Sequence, residues 1–293
     1  MDVPEPIRSL SPKGIIDCYV NGHPKRLKPY WEKTSYLFGR SNIGDEGEDA
    51  DDLVASMDRH GIAKALLAPP PYGELTPEEG YRWTLETVQK YPERFGLSVR
   101  VDPQKGMAAV RELESLVRND GAIALRLVPF RVGKPLTHRV YYPLYTKCVE
   151  LGIPVTSTVG IPGPLVPGLV QHPKYLDTLC YEWPELTVVT THGGEPWTGL
   201  LVKLLLKWPN LFHMISAFSP KYYPADTLKF LSSSRGRQKV MFATDYPLIS
   251  FARALEELPR APIATDSWAP FLYENADRVF WKGPGPESGK EAI

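Results

Sequence analysis

Short apolar runs alternate with amphipathic stretches from residue 14 to residue 280. The apolar runs are Gly14–Val20, Lys64–Ala68, Phe95–Val101, Ala122–Val128, Pro154–Thr158, Leu186–Thr190, Leu211–Ile215 and Val240–Thr244. They are nearly continuous instead of alternating, the pattern of parallel strands covered on both faces. Between them, Leu53–His60, Pro77–Tyr91, Met107–Asn119, Leu144–Leu151, Lys174–Trp183, Trp197–Trp208 and Asp226–Ser233 carry helical spacing. Phe251–Leu258 and Trp268–Phe280 add two helices after the last strand. Gly61 suits a helix stop, Thr76 and Pro77 suit a helix start, and Pro69-Pro70-Pro71 ends the second strand. Eight strand-to-helix units joined by right-handed crossovers predict an α/β fold, a single-domain (β/α)8 TIM barrel. A doubly wound open sheet fits the alternation too, but the count of eight favours the barrel. Residues 1–13 read as an N-terminal extension, 14–282 as the barrel and 283–293 as a disordered tail.

Composition narrows the function. A barrel needs about 250 residues, and the chain has 293. With 34 basic and 34 acidic residues the net charge is zero, which argues against a nucleic-acid or membrane surface. No apolar run reaches the ~18 residues of a membrane span. The first six residues lack a basic segment followed by an apolar core, so no signal peptide is expected. Three scattered cysteines, Cys18, Cys148 and Cys180, suit a reducing cytoplasm better than a disulfide framework.

In such a barrel, functional residues lie at the C-terminal ends of the strands. That rule nominates Asp17 to Asn21, Arg126, Thr158, His192 and Asp245, with His23, His138, Glu195 and Trp197 close behind. Each has a plainer reading. Asp245 can cap the turn before Tyr246-Pro247, and His192 can be a hydrogen-bonded core histidine. Arg126 sits inside the apolar run Ala-Leu-Arg-Leu-Val, where a charge needs a partner, either Asp17, Asp245 or a substrate. His23 and His138 suit solvated loops, His60 a helix end, His172 a loop, and His213 lies within a strand and can point either way. Cys18 suits core packing. Trp31, Trp197 and several tyrosines near the mouth suit an apolar or aromatic organic substrate, or else pack loops onto the rim.

Several landmarks in order carry a resemblance: Ile15-Ile16-Asp17, the stretch Leu53–Ile62, Gly152-Ile153-Pro154-Val155, His192-Gly193-Gly194, Thr244-Asp245-Tyr246-Pro247 and Glu274–Arg278. On them the chain resembles the amidohydrolase-related family of metal-dependent TIM-barrel enzymes, in the branch of aminocarboxymuconate-semialdehyde decarboxylase-like proteins. The resemblance implies hydrolysis of a C–N or C–O bond, or non-oxidative decarboxylation. It also implies metal ligands: two histidines on the first strand, histidines ending the fifth and sometimes the sixth, and an aspartate ending the eighth. Here Tyr19 and Asn21 stand at the first-strand positions and Thr158 at the fifth. Only His192 and Asp245 match.

Three readings of this remnant are open. A metal (zinc, manganese or iron) is kept through substitutes, with Asp17, His192 and Asp245 as ligands and Asn21, Glu195, His23 or His138 as further donors. Alternatively no metal is bound: Asp245 is the general acid or base, His192 its partner, and Arg126 holds a substrate carboxylate. Or the barrel is inactive and binds a ligand or partner. An iron-dependent oxygenase is the variant of the first reading that differs most in chemistry. The expected enzyme is a cytoplasmic hydrolase or carboxy-lyase acting on a small carboxylated, aromatic or polyketide-like molecule. Tyr19, Asn21, Thr158, Glu195, Trp197 and Trp31 are its substrate-binding candidates, and a homodimer is the expected assembly.

Overall fold

The computed structural model describes residues 10–25, 47–70 and 77–282. Eight parallel strands pair in sequence order: β1 (Ile15–Asn21), β2 (Ile62–Ala68), β3 (Phe95–Val99), β4 (Ala122–Leu127), β5 (Val155–Thr158), β6 (Val188–Thr191), β7 (Leu211–Ile215) and β8 (Val240–Phe242). A parallel bridge between Val20 and Tyr246 closes β8 onto β1, so the sheet is the TIM barrel that the alternation predicts. Helices α1 (Ala50–Arg59), α2 (Pro77–Lys90), α3 (Met107–Asp120), α4 (Tyr142–Leu151), α5 (Tyr175–Glu182), α6 (Thr198–Lys207), α7 (Ala225–Leu231) and α8 (Phe251–Glu257) follow. The expected tail and Trp31 lie outside the described residues.

Strand parity divides the core in two. Leu97, Leu125, Val155, Val188, Leu211, Ile215 and Phe242 face outward and pack with helix residues such as Leu113, Leu144 and Leu201. Ile16, Cys18, Leu66, Ala124, Val189, Met214 and Met241 face inward and fill the barrel. The inner cluster is plugged from one end by Ala276, Val279 and Phe280. These belong to a helix over residues 268–281 that contains two π-helical stretches, Pro270–Glu274 and Asp277–Trp281. Asn275 in this helix is buried and its amide donates to the carbonyls of Arg237 (2.7 Å) and Val240 (2.8 Å), which ties the plug to the start of β8.

Of the elements whose bounds differ from the sequence pattern, two do so for clear reasons. The α1 helix starts earlier than Leu53, because the Asp49 N–H bonds the Asp52 carboxylate (3.3 Å) and fixes the first turn. The β8 ladder ends at Phe242 and not Thr244, because the Thr244 N–H turns away to the Asp17 carboxylate (3.1 Å). Glycine is required at Gly152, which closes α4 at φ 66°. It is required again at Gly160, at φ 93°, where a Cβ would lie 2.9 Å from the Glu195 carbonyl oxygen.

Candidate active site

Asp17, Tyr19, Asn21, Arg126, His192 and Asp245 are brought to one end of the barrel and linked to each other. Arg126 follows Ala124 by two residues on β4 and shares its inward face. Its Nη1 donates to Asn21 Oδ1 (2.9 Å), and the guanidinium carbon lies 3.6 Å from the centroid of the Tyr19 ring. Asn21 Nδ2 donates in turn to Asp245 Oδ1 (2.7 Å) and to the Tyr246 carbonyl (3.1 Å). An arginine can only donate, so the Asn21 amide must turn its oxygen to Arg126 and its nitrogen to Asp245. An ion pair between Arg126 and an aspartate, one of the two readings the sequence left open, is therefore replaced by an amide bridge. Arg126 Nε and Nη2 are buried and have no hydrogen-bond partner among the described residues.

Asp17 serves a different purpose from its neighbours. Its carboxylate accepts from the Thr244 hydroxyl (2.6 Å), the Thr244 N–H (3.1 Å) and the Tyr19 N–H (3.0 Å). Burial pushes its pKa up to about 6, against these three bonds and the Arg126 charge. Asp245 stands at left-handed φ 63°, a conformation that costs an aspartate free energy. Burial pushes its pKa up to about 7; the Asn21 bond and Arg126 oppose this, and the Asp17 charge adds to it. This acid can therefore give or take a proton near neutrality.

His192 also has positive φ, at 74°. Its backbone N–H donates to Ser216 Oγ (3.0 Å), and its Nδ1 lies 2.9 Å from the same oxygen. Ser216 is fully buried, and its hydroxyl can give its proton to Nδ1. In that arrangement Nδ1 is unprotonated and the ring proton sits on Nε2. Burial, followed by Arg126 and His213, pushes the His192 pKa down to about 3, so the ring is neutral. The Tyr19 ring meets it edge-on at 5.3 Å.

The other candidates lie around this group. The Thr158 hydroxyl donates to Gln171 Oε1, and Gln171 Nε2 donates to the Gly160 carbonyl (3.1 Å), so Gln171 fills the space beside the tip of β5. Glu195 folds its carboxylate over Gly193, and burial raises its pKa. The Trp197 ring lies against His172, with centroids 4.1 Å apart and planes tilted by 37°. His138 Nδ1 accepts from the Val140 N–H (3.2 Å) and His172 Nδ1 from the Lys174 N–H (3.0 Å), so both cap loop turns. His213 faces the helix layer with Leu211 and Ile215, its Nδ1 2.9 Å from the Thr190 hydroxyl. Cys18 packs in the barrel interior and burial raises its pKa, as core packing requires. Ser216 and Gln171 went unnoticed in the sequence. Strand parity could have found Ser216, which follows Phe212 and Met214 on the inward face, but nothing local marks Gln171.

Residues 40–281 match the family model described as amidohydrolase. The chain belongs to the amidohydrolase family. Solved structures agree on the fold of this amidohydrolase. A TIM-barrel protein from Bordetella bronchiseptica matches with a TM-score of 0.74 and 21% identity, over 90% of this chain and 97% of the other. A 5-carboxyvanillate decarboxylase from Novosphingobium aromaticivorans, in complex with manganese and 4-hydroxy-3-methoxy-5-nitrobenzoic acid, matches with a TM-score of 0.66 and 18% identity, over 90% and 95%. A probable 2-pyrone-4,6-dicarboxylic acid hydrolase from Acinetobacter baumannii, with citric acid bound, matches with a TM-score of 0.63 and 16% identity, over 92% and 99%. A search of curated proteins finds no match. Among the described residues no helix is long and apolar enough to cross a membrane.

The donor set among the described residues does not fit a divalent metal. Among the described residues no group of three or more His, Cys, Asp or Glu side chains is placed to share an ion. The acceptors of Asp17 are taken by Thr244 and Tyr19. At the first-strand positions, Tyr19 and Asn21 hold a guanidinium. Among the described residues, an ion touching Asp245 and His192 would find two ligands where a catalytic site normally has three. It would also stand beside the Arg126 charge.

Proposed function

We propose that this amidohydrolase hydrolyses an acyl C–O or C–N bond in a small carboxylated or aromatic substrate, by acid–base catalysis on Asp245 and His192. The reading is carried by one observation: Asp245, at the tip of the β8 segment, is buried and tethered through Asn21 to the Arg126 cation. Burial raises its proton affinity while the tether aims its carboxylate, as a general base near neutrality requires.

Asp245 takes a proton from a water molecule whose oxygen attacks the acyl carbon. The carbonyl oxygen gains negative charge as this bond forms, and His192 Nε2–H donates to it. A neutral imidazole suits that role, because it polarises the carbonyl without losing its proton. The C–O or C–N bond then breaks, and the proton held by Asp245 passes to the leaving atom. One water is consumed, and an acid and an alcohol or amine are released. Arg126 holds Asn21 in register and supplies the positive charge of the site.

Decarboxylation is the second reading. A carboxyl whose pKa is pushed up to about 7 keeps a proton through mildly acidic pH, and that proton can be delivered to carbon as carbon dioxide leaves. The similar structures include both a decarboxylase of a carboxylated phenol and a hydrolase of a pyrone dicarboxylic acid. The test is a turnover screen of carboxylated lactones, aryl esters, anilides and hydroxybenzoates with the native protein and Asp245→Asn. Hydrolysis of one acyl class, lost in Asp245→Asn, supports the first reading. Carbon dioxide release alone supports the second, and equal product from both proteins removes Asp245 from the chemistry.

A further inference from the structure

We propose that the unpaired edge of Arg126, together with the hydroxyls of Ser98 and Thr191, forms a subsite for a substrate carboxylate that does not itself react. The subsite deepens the hydrolytic reading and rests on it. Nε and Nη2 make up one edge of the guanidinium, while Nη1 on the other edge is used by Asn21. Ser98 Oγ and Thr191 Oγ1 are likewise buried without a partner among the described residues. All three side chains face into the barrel. Ser98 alternates with the outward Leu97 and Val99 on β3, next to β4 through the pair Ser98–Ala124. Thr191 follows the inward Val189 by two residues on β6, and β5 alone separates it from the strand of Arg126.

Buried donors are nearly always satisfied in native proteins, so a group of them on one inner surface marks the place of a missing acceptor. The guanidinium edge offers two parallel N–H bonds in one plane, the geometry of a carboxylate. The surroundings, including Ala124, Val189 and Met214, are apolar. They suit a carboxylate carried on an apolar ring better than a strongly hydrated phosphate.

The same geometry says which part of the substrate reacts. Loss of carbon dioxide moves negative charge out of the carboxylate onto carbon. A fork that stabilises the ionised carboxylate favours the ground state over that transition state. A carboxylate held here is therefore an anchor, and the bond that breaks lies elsewhere on the same molecule, toward Asp245 and His192. The substrate has two functions: a carboxylate and a separate acyl group.

Calorimetric titration of the native protein with benzoate, and with benzamide as its uncharged counterpart, tests this directly. Benzoate is expected to bind on the order of tenfold to a hundredfold more tightly than benzamide, the range for hydrogen bonds to a charged group. Arg126→Met should remove that preference. Thr191→Val and Ser98→Ala, which keep shape in the barrel, should each weaken benzoate several-fold. Asp245→Asn should retain benzoate binding, because the subsite does not use the base. Equal binding of benzoate and benzamide, or a preference that survives in both Arg126→Met and Thr191→Val, would overturn the subsite. Should benzoate fail to bind while Asp245→Asn abolishes turnover, the subsite falls and the hydrolytic reading stands.

Discussion

Thr244 is bound twice by Asp17, its hydroxyl at 2.6 Å and its backbone N–H at 3.1 Å. The Thr244 hydroxyl also accepts from the Tyr246 N–H (3.0 Å), so one carboxylate grips the chain on both sides of Asp245. Asn21 adds a bond to the Tyr246 carbonyl. Together these bonds hold Asp245 at its left-handed φ of 63° and stitch the seam between β1 and β8. Asp17→Ala leaves buried Thr244 donors without acceptors, at about 1–3 kcal/mol each. Asp17→Asn keeps an oxygen for both backbone N–H groups and is expected to recover most of that loss. Chemical unfolding of the two variants checks the order; equal destabilisation would count against the clasp.

For a general base at Asp245, kcat/KM rises with pH through about 7 as the carboxylate ionises. If Asp245 acts as an acid in decarboxylation, the rate falls through the same region. Asp245→Asn should lose about 10²- to 10⁴-fold in rate under either chemistry. A pH–rate profile that stays flat between pH 5 and pH 8 would show that Asp245 carries no proton in the rate-limiting step.

A proton given by the Ser216 hydroxyl to His192 Nδ1 would hold the ring in its Nε2–H form. Ser216→Ala removes the donor to Nδ1, and the ring is then free to carry its proton on either nitrogen. The expected outcome is a roughly tenfold lower kcat with little change in KM, since the carbonyl contact strengthens only in the transition state. Nitrogen NMR of the native protein should show a neutral ring protonated on Nε2. A ring protonated on Nδ1 would contradict the assignment.

Stability should depend on pH in two opposing ways. The folded pKa of His213 is pushed down to about 4 by burial, below the ordinary 6.5, so its contribution is present above 6.5 and lost as pH falls through about 4. The folded pKa of Asp245 is pushed up to about 7, above the ordinary 3.8, so its contribution is present below 3.8 and lost as pH rises through about 7. His213→Asn should therefore lose less stability than the native protein between pH 6.5 and pH 4. Asp245→Asn should gain stability relative to the native protein by a few kcal/mol more at pH 8 than at pH 4. Urea unfolding at the three pH values measures both differences.

The barrel was legible because its strands are buried on both faces and its helices repeat at one rhythm. The tips of β6 and β8 were legible for the same reason, since Thr191-His192 and Thr244-Asp245 end apolar runs. What joins them was not. The amide bridge from Arg126 through Asn21 to Asp245 spans 105 and 224 residues of chain separation, and no local pattern encodes such contacts. The sequence admitted an ion pair for Arg126 because a buried charge needs a partner; it could not show that Asn21 stands between. Asp17 looked like a metal ligand for its place on β1, yet its lone pairs are turned to Thr244 by the strand-end geometry.

We propose that Asp245, His192 and the Arg126 cation do the chemistry without a divalent metal. The most direct measurement is the turnover of chelator-treated protein, its metal content verified by elemental mass spectrometry, on the acyl class found in the screen. An unchanged rate at negligible metal content is expected, with no gain on adding manganese or zinc. A rate that collapses on chelation and returns with manganese or zinc would contradict it.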